Sequence, residues 1–247
     1  MNIGEAAHRS RTRQEVAEYF NVDLPEDSKS GQDCYVLDTD RQLFAVADGV
    51  GGSLDGAAAA KAACETFQER APSYRLGVRG VLDAIPELYV AVNAAVADTQ
   101  SQTTFTGGIV TADGYIAWLH AGDSRLFHLT KFGEVYDLAP PQHNPYKRNQ
   151  LFNALGGTHT HLMLRPNDYS QWMPIWGREQ LSAGDRLILA TDGIGPGGFD
   201  DTRCEAEWWM AHASRQMGNT AVEAVAHVFD QSAIIDDGTL VIVDIEA

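Results

Sequence analysis

The sequence predicts an α+β fold built from layered, mainly antiparallel sheets. Hydrophobic residues make up 44% and charged residues 21% of the 247 residues, a composition typical of globular proteins that excludes wholesale disorder. Strand-like runs come first, then two helix-like segments, then further strands, and finally two helices before a last strand. This order lacks the regular strand–helix alternation of a doubly wound parallel sheet, which leaves the α+β class.

Seven runs of apolar residues indicate strands, and several are apolar almost throughout, as expected for strands covered on both faces. They are Cys34–Asp38, Leu43–Ala47, Gly108–Ala112, Tyr115–Ala121, Leu126–Leu129, Arg186–Thr191 and Thr239–Ile245. The segments with helical character are Gly56–Arg70, Val78–Gln100, Glu205–Met217 and Thr220–Ser232. In the second of these, apolar residues recur with helical spacing from Leu82 to Val96, and Pro86 there predicts a kink or a later helix start.

The net charge limits the classes of partner that the chain is expected to bind. The chain has 34 acidic against 18 basic residues, a net charge of −16, so we expect neither nucleic acid nor an anionic membrane as a partner. Cys34, Cys64 and Cys204 lack the spacing of a disulfide framework or a metal knuckle, which favours a reducing compartment. Residues 1–20 lack the apolar core of a signal peptide, and no apolar run approaches the roughly 18 residues needed to span a bilayer. We therefore expect a cytoplasmic protein.

One stretch, residues 138–171, is rich in Pro, Asn, Gln and His and shows little periodicity. It predicts an irregular excursion beside the sheets, within a single domain that spans residues 1–247. Long loops of this kind are often functional.

Aspartates stand at strand ends in four places, usually beside a glycine. Asp48 and Asp192 each follow an apolar strand, Asp123 lies in a tight turn between two strands, and Asp236 precedes the last strand. Any one of these pairs alone is typical of a simple turn. Four pairs at the ends of the most apolar strands favour a common location.

Such a group of carboxylates requires a counter-charge, because like charges raise each other's pKa. Lys and Arg are scarce here, whereas all-oxygen carboxylate sites suit hard divalent cations such as Mg²⁺ or Mn²⁺. Two such ions about 3.5–4 Å apart can bridge a water, lower its pKa and present hydroxide to a phosphoryl centre. The neighbouring glycines would let the backbone approach the metals closely.

Together with Gln32-Asp33, four motifs occur in a fixed order. They are Asp48-Gly-Val-Gly-Gly52, Gly122-Asp-Ser-Arg125, Gly184-Asp-Arg-Leu-Ile-Leu-Ala-Thr-Asp-Gly193 and Asp236-Asp-Gly-Thr239. This series resembles that of the metal-dependent protein phosphatases, the type 2C family, and in particular its bacterial members. The resemblance extends over about residues 31–245.

The resemblance implies a fold and a first set of metal ligands. The fold is a four-layer α-β-β-α sandwich of two mainly antiparallel sheets flanked by helices. Asp48 would bridge two Mn²⁺ or Mg²⁺ ions, and the carbonyl of Gly49 would bind one of them. Asp192 and Asp236 would hold the other ion.

Two further carboxylates complete the implied site. Asp33 resembles an acid at the edge of the ligand shell, and Asp123 resembles the acid that, with Asp192, serves a third, weaker metal ion in bacterial members. The implied reaction is hydrolysis of phosphoserine or phosphothreonine in proteins by in-line attack of a metal-bridging water, without a covalent phospho-enzyme. A phosphorylated protein and a cognate Ser/Thr kinase are the implied partners.

The sequence departs from the family pattern in the residues that would contact phosphate. Gln32 stands where the family has Glu, and Ser28 stands where an Arg usually grips the phosphate. Lys29 is the candidate substitute, although an ammonium is a point charge that cannot make a bidentate contact. If the N-terminal segment folds back, the other candidates are Arg9, Arg11 and Arg13.

Two further departures concern the leaving group and the substrate. Val50 stands where eukaryotic members often have His, so we expect water rather than a side chain to protonate the leaving group. The excursion at residues 138–171 would replace the family's flap segment, with His143 contacting metal ligands from outside.

Three patterns suggest other chemistries, and we interpret each as structural. Cys64–Arg70 has the Cys-x5-Arg spacing of cysteine phosphatases, but it lacks glycine, contains two glutamates and continues a helix. Gly193–Gly198 matches a dinucleotide fingerprint without the required strand–helix–strand unit. His159 and His161 share one face of a strand and are interpreted as a partly exposed pair.

The leading hypothesis is therefore a Mn²⁺- or Mg²⁺-dependent protein serine/threonine phosphatase. The alternatives are a phosphatase of a small phosphorylated metabolite, a catalytically weak module that binds phosphoproteins, and a nucleotide-binding oxidoreductase that uses the loop at Gly193.

Overall fold

The computed structural model describes residues 1–12, 31–144, 147–151, 153–156, 176–196, 202–214, 220–232 and 236–247. The strands are β1 (Asn2–Arg11), β2 (Asp33–Asp38), β3 (Leu43–Asp48), β4 (Phe105–Val110), β5 (Tyr115–Ala121), β6 (Arg125–Leu129), β7 (Val135–Asp137), β8 (His143–Asn144), β9 (Lys147–Leu151), β10 (Trp176–Gln180), β11 (Arg186–Ala190) and β12 (Gly238–Glu246). The helices are α1 (Gly56–Arg70), α2 (Gly77–Asp98), α3 (Thr202–Ala213) and α4 (Ala221–Gln231).

Ten of these strands form two five-stranded sheets. Sheet I has the order β1-β12-β11-β6-β7, and sheet II has the order β10-β5-β4-β3-β2. All neighbouring strands in both sheets are antiparallel. The predicted α+β class with antiparallel sheets is confirmed.

The two sheets face each other, and helices cover their outer faces. Phe44 of sheet II and Leu187 of sheet I belong to one core between the sheets. On the outer face of sheet II, α1 and α2 pack through residues such as Phe67. On sheet I, α3 and α4 pack through Trp209 and Phe229. This is the four-layer α-β-β-α sandwich that the family resemblance implies.

Helix α2 runs through Pro86, so the expectation of a later helix start is wrong. The proline costs about 3 kcal/mol or more, because it removes one backbone hydrogen bond and crowds the preceding turn. Seven residues of the helix are buried against sheet II and α1, and each contributes roughly 1.5 kcal/mol or more. Burial of the apolar stripe therefore outweighs the cost of the proline.

The same helix meets the length and composition criterion for a membrane span. The segment Tyr74–Asp98 has a mean hydropathy of 1.3 over its most apolar 18 residues. The expectation that no segment reaches this limit is therefore wrong. Because a core helix meets the same criterion and the apolar stripe here packs into the core, the segment is weak evidence for membrane insertion.

All seven predicted strands are present. The β8–β9 hairpin was not predicted, and neither were β1, β7 and β10 of the two five-stranded sheets. Each lies at the edge of its sheet and pairs with a single neighbour there. An edge strand needs less apolar surface than a central one and is often charged. β1, for example, contains Glu5, His8 and Arg9 and shows no apolar run.

The predicted excursion at residues 138–171 is described only up to residue 156, with gaps at 145–146 and 152. Its described part contains the short β8–β9 hairpin and then returns to the sheets. The amide and carbonyl of Leu155 both pair with Thr103, and the amide of Gly156 donates to Asn93 Oδ1 at 2.9 Å. The segment is therefore anchored beside the end of β3.

Candidate active site

Asp33 and Asp48 are directly opposite each other in the β2–β3 pair. Asp33 begins β2, Asp48 ends β3, and the antiparallel register makes them cross-strand partners. Side chains at such positions project from the same face of the sheet with Cβ atoms about 5 Å apart. The first two predicted carboxylates are thus adjacent because of strand register alone.

A threonine connects this pair to sheet I. The hydroxyl of Thr191, at the end of β11, donates to Asp33 Oδ2 at 2.8 Å and accepts from the amide of Thr239 at 2.8 Å. Because Thr191 immediately precedes Asp192, the same contact places Asp192 at the junction of the two sheets.

The loops of Asp192 and Asp236 meet at Gly193 and Gly238. A Cβ on Gly193 would overlap the carbonyl oxygen of Asp237, so these backbones can touch only because residue 193 is glycine. The carboxylate of Asp237 accepts from the amide of Gln32 at 2.7 Å, and the amide of Asp237 donates to Asp236 Oδ1 at 2.9 Å. Asp237, which the sequence analysis left without a role, therefore ties this loop to β2.

Hydroxyl groups also fix the backbone of Asp48. Its carbonyl accepts from Thr103 Oγ1 at 2.7 Å and from the amide of Thr104 at 2.8 Å. The Thr104 hydroxyl lies 2.7 Å from Ser124 Oγ, next to Asp123 in the turn between β5 and β6. A single chain of hydroxyls thus joins the turn of Asp123 to the end of β3.

The glycine after Asp48 allows a close backbone contact within the protein. A Cβ on Gly49 would overlap the backbone of Gly56, the first residue of α1. The close approach that the glycine allows is therefore to this helix. The side chain of Gln32 is buried with its Nε2 beside Gly56 and without a hydrogen-bond partner among the described residues.

The predicted carboxylates lie close enough to influence one another's ionisation. Burial, together with the charge of Asp237, raises the pKa of Asp33 to about 6. Burial and the charges of Asp33, Asp192 and Asp123 raise the pKa of Asp48 well above its usual range. The pKa of Asp192 is raised to about 7 by burial of its carboxyl group and by Asp123 and Asp236, although the residue keeps exposed surface.

The carboxyl of Asp48 lies within hydrogen-bonding reach of both Asp33 and Asp192. Without a cation, a proton on Asp48 reduces the repulsion among the three groups. We call Asp33, Asp48, Asp123, Asp192 and Asp236 the carboxylate cluster.

Two buried arginines near the sheets are bound to other acids. Arg125, two residues after Asp123, pairs at 2.7 Å with both Asp137 and Glu205. Arg186 is paired through two nitrogens with Asp244, at 2.6 and 3.0 Å. Neither guanidinium is therefore available to neutralise the carboxylate cluster.

The donor set of the cluster fits hard divalent cations, although its atoms are not arranged as a finished ligand shell. Asp33 Oδ1 is buried without a hydrogen-bond partner, which is costly unless an ion or a proton satisfies it. Within the described part of the chain, no three His, Cys, Asp or Glu side chains already surround a common metal position. Buried carboxylate oxygens, including those of Asp33, Asp48 and Asp192 with their raised pKa values, match the chemistry of Mg²⁺ or Mn²⁺.

The candidate phosphate ligands are only partly described. Lys29, Ser28 and Arg13 lie outside the described residues, and so does the side chain of His143. The N-terminal segment does fold back as β1, which places Arg11 opposite Gly238. Both Arg9 and Arg11 lie over the ring of Phe229, at 4.8 and 5.4 Å from its centroid.

The structure also excludes the cysteine-phosphatase interpretation of one of the three alternative patterns. Cys64–Arg70 lies within α1, and Cys64 is 2% exposed, so it forms no phosphate-binding loop. Of the glycine-rich stretch after Asp192, residues 193–196 form a turn, and 197–198 are outside the described residues, as are His159 and His161.

The family comparison agrees with this geometry. The family model for protein phosphatase 2C matches residues 26–229. The chain belongs to the protein phosphatase 2C family. Among curated protein sequences, none matches it.

Solved structures of 2C-type phosphatases share the whole fold. The Mycobacterium tuberculosis serine/threonine phosphatase PstP/Ppp is 19% identical with a TM-score of 0.73, and 100% of each chain is covered. The catalytic domain of PstP in complex with two manganese ions is 19% identical with a TM-score of 0.70, again over 100% of both chains. Stp1 from Staphylococcus aureus is 16% identical with a TM-score of 0.66, over 100% of this chain and 98% of that one.

Proposed function

We propose that this member of the 2C family is a Mn²⁺- or Mg²⁺-dependent phosphatase that hydrolyses phosphoserine and phosphothreonine in proteins. The observation that supports it most strongly is the carboxylate cluster. Carboxylates from both sheets meet at one end of the sandwich, and burial together with neighbouring charges raises the pKa values of Asp33, Asp48 and Asp192. A site of this kind is unfavourable for a phosphate ester until cations reverse its charge.

The residues that would hold the cations are those of the cluster and the Gly49 carbonyl. Asp48 would contact two ions, and Asp192 and Asp236 would both contact one of these two. Asp33 and Asp123 would lie at the edges of the site. When bound, two such ions lower the pKa of a shared water and neutralise the charge that develops on the phosphoryl group.

The chain itself provides rigid placement of the carboxylates. The hydroxyls of Thr103 and Thr191 hold Asp48 and Asp33 through backbone and side-chain hydrogen bonds. A fixed position matters because hydrolysis through an in-line geometry depends strongly on orientation. The threonines are thus positioning residues rather than reacting groups.

Among the described residues near the cluster, His120 is not available for proton transfer to a leaving group. It is fully buried between Thr106 and the carbonyl of Pro140, and burial lowers its pKa to about 4. Protonation of the leaving group is accordingly assigned to water.

The proposed substrate is a phosphorylated protein, with a Ser/Thr kinase as its counterpart and the cytoplasm as its location. The structures cited above are described as serine/threonine phosphatases, which supports this substrate class. The net charge of −16 disfavours nucleic acid as a partner.

A second candidate function is a catalytically weak phosphoprotein-binding module. Gln32 replaces the family's Glu, and its side chain is buried with its Nε2 beside Gly56 at the start of α1. Ser28 also replaces the phosphate-gripping Arg. A further alternative, a phosphatase of a small metabolite, is tested by comparing the turnover of phosphopeptides with that of small phosphate esters.

The experiment is hydrolysis of a chromogenic phosphate ester and of a phosphoserine peptide, with Mn²⁺ and with chelator. We expect turnover only with Mn²⁺, and a loss of at least about 100-fold in Asp192→Ala, since a metal ligand and its charge are removed. The matched control is Asp40→Ala, an exposed aspartate in the β2–β3 turn, which should keep wild-type activity. Metal binding without turnover would instead support the binding module.

A further inference from the structure

Two histidines face each other across the outer helical layer, away from the carboxylate cluster. His212 lies on α3 and His227 on α4, and Nδ1 of the first is 3.2 Å from Nε2 of the second. Their rings are nearly parallel, with centroids 5.3 Å apart and an interplanar angle of 28°. Both side chains are half-buried, so the contact between them remains open to solvent on one side.

This separation is the one that two ligands of a single metal ion require. With metal–nitrogen bonds of about 2.0–2.1 Å and tetrahedral angles, two ligating nitrogens lie about 3.3 Å apart. We propose that His212 and His227 form a two-histidine binding site for a late first-row transition-metal dication such as Zn²⁺, Ni²⁺ or Cu²⁺. This site is separate from the proposed phosphatase centre and does not depend on it.

The imidazole of His212 is in the state that metal binding requires. Burial and the neighbouring His227 lower the pKa of His212, so this ring is neutral near pH 7. In the metal-free pair, one ring nitrogen donates its N–H to the other. Binding moves that proton to the second nitrogen of the same ring, so both contact nitrogens offer lone pairs and no electron transfer occurs.

Neighbouring groups shape the rest of the site. Trp208, one turn before His212 on α3, packs its ring 4.9 Å from that imidazole and forms an apolar wall. Glu223, one turn before His227 on α4, lies on the same helix face, but its Oε2 accepts from the amide of Thr220 in the helix cap. Among the described residues no third His, Cys, Asp or Glu joins the pair, so water would complete the metal coordination.

Ligand chemistry separates this site from the carboxylate cluster. Imidazole nitrogens suit Zn²⁺, Ni²⁺ and Cu²⁺, whereas all-oxygen sites suit Mg²⁺ and Mn²⁺. Excess Mg²⁺ can therefore occupy the cluster while a transition metal binds the histidine pair.

Binding would connect the two helices directly. Helices α3 and α4 contact each other and share the core that covers sheet I. Helix α4 also carries Phe229, on which Arg9 and Arg11 of β1 are stacked. An ion between His212 and His227 stabilises the folded arrangement of this layer in proportion to its concentration.

The test uses full-length protein stripped of metal by chelator and then kept in excess Mg²⁺. Zn²⁺ is titrated calorimetrically into wild type, His212→Gln and His227→Gln. The matched control is His8→Gln, which removes a histidine that stacks on Tyr35 in sheet-edge packing. We expect wild type and the control to bind one more Zn²⁺ per chain than either glutamine variant, and to gain about 5–11 °C in Tm at a hundredfold excess over Kd.

A second measurement needs no histidine variant. Cu²⁺ should quench tryptophan fluorescence in the wild type, and Trp208→Phe should remove most of that quenching because this ring is the one beside His212. Equal Zn²⁺ stoichiometry and equal Tm gains in all four proteins would overturn the proposal. If the glutamine variants do not fold, absence of Trp208-dependent quenching by Cu²⁺ would overturn it equally.

Discussion

Replacing Asp33 by Asn should stabilise the metal-free protein near neutral pH. The pKa of Asp33 is about 6 in the folded chain, against 3.8 for an ordinary aspartate. At about 1.36 kcal/mol per pKa unit, ionised Asp33 lowers the free energy of unfolding by about 3 kcal/mol. Burial of the charge is the largest part of this cost, and repulsion from Asp237 adds to it.

The amide should retain the local contacts. Its Oδ1 can still accept from Thr191, at a cost of about 1 kcal/mol because the bond is no longer charge-assisted. Its Nδ2 would face the carboxyl of Asp48, which accepts. The net gain is then about 2 kcal/mol, or about 4–8 °C in Tm for a chain of this size.

The sign of the pH dependence follows from the raised pKa. Folding disfavours the ionised form of Asp33, so wild type loses stability as the pH rises from about 4 and has lost it fully above about 6. Asp33→Asn lacks this loss, so its advantage should be present at pH 7.5 and absent below pH 4, where Asp33 is protonated in both states.

The assay is thermal unfolding in chelator at pH 4 and pH 7.5, repeated at pH 7.5 with Mn²⁺. Asp38→Asn is the control, because Asp38 lies at the other end of β2 and accepts from the amide of Arg41. With Mn²⁺ the wild type should gain more stability than Asp33→Asn. A variant that is less stable than wild type in chelator at pH 7.5 would refute the claim that burial and neighbouring charge disfavour the ionised form of Asp33.

Two other substitutions test the packing that positions the site. Gly193→Ala should lower both Mn²⁺-dependent activity and Tm, because its Cβ would overlap the Asp237 carbonyl, whereas Gly51→Ala, with open space around it, should change stability by less than about 0.5 kcal/mol. Arg186→Leu should cost about 3–5 kcal/mol in denaturant unfolding, because it leaves Asp244 buried without its partner. An unchanged unfolding midpoint in either Gly193→Ala or Arg186→Leu would contradict the corresponding contact.

The sequence could predict the central strands and the cluster because both depend on local signals. Apolar runs mark β3, β5, β11 and β12, and Asp-Gly pairs mark their ends. Edge strands such as β1 could not be found, since an edge needs little apolar surface and is recognised only by its pairing with β12.

The hydroxyl network shows a second limit of sequence reasoning. Thr191 and Thr239 stand inside the quoted motifs, yet nothing local indicates that one hydroxyl joins Asp33 to the other sheet, because that contact spans 158 residues. Asp237 likewise resembles an ordinary turn residue in the sequence. Only the fold shows that its carboxylate accepts a hydrogen bond from the amide of Gln32. Long-range contacts of this kind are properties of the assembled fold.

The central claim is that carboxylates from both sheets bind divalent cations in order to hydrolyse phosphate esters. The most direct measurement is turnover of a phosphoserine peptide by chelator-treated protein during a Mn²⁺ titration, with bound Mn²⁺ counted by equilibrium dialysis. We expect no turnover without Mn²⁺ and activity that rises until at least two ions per chain are bound. Equal turnover in chelator and in Mn²⁺ would contradict it.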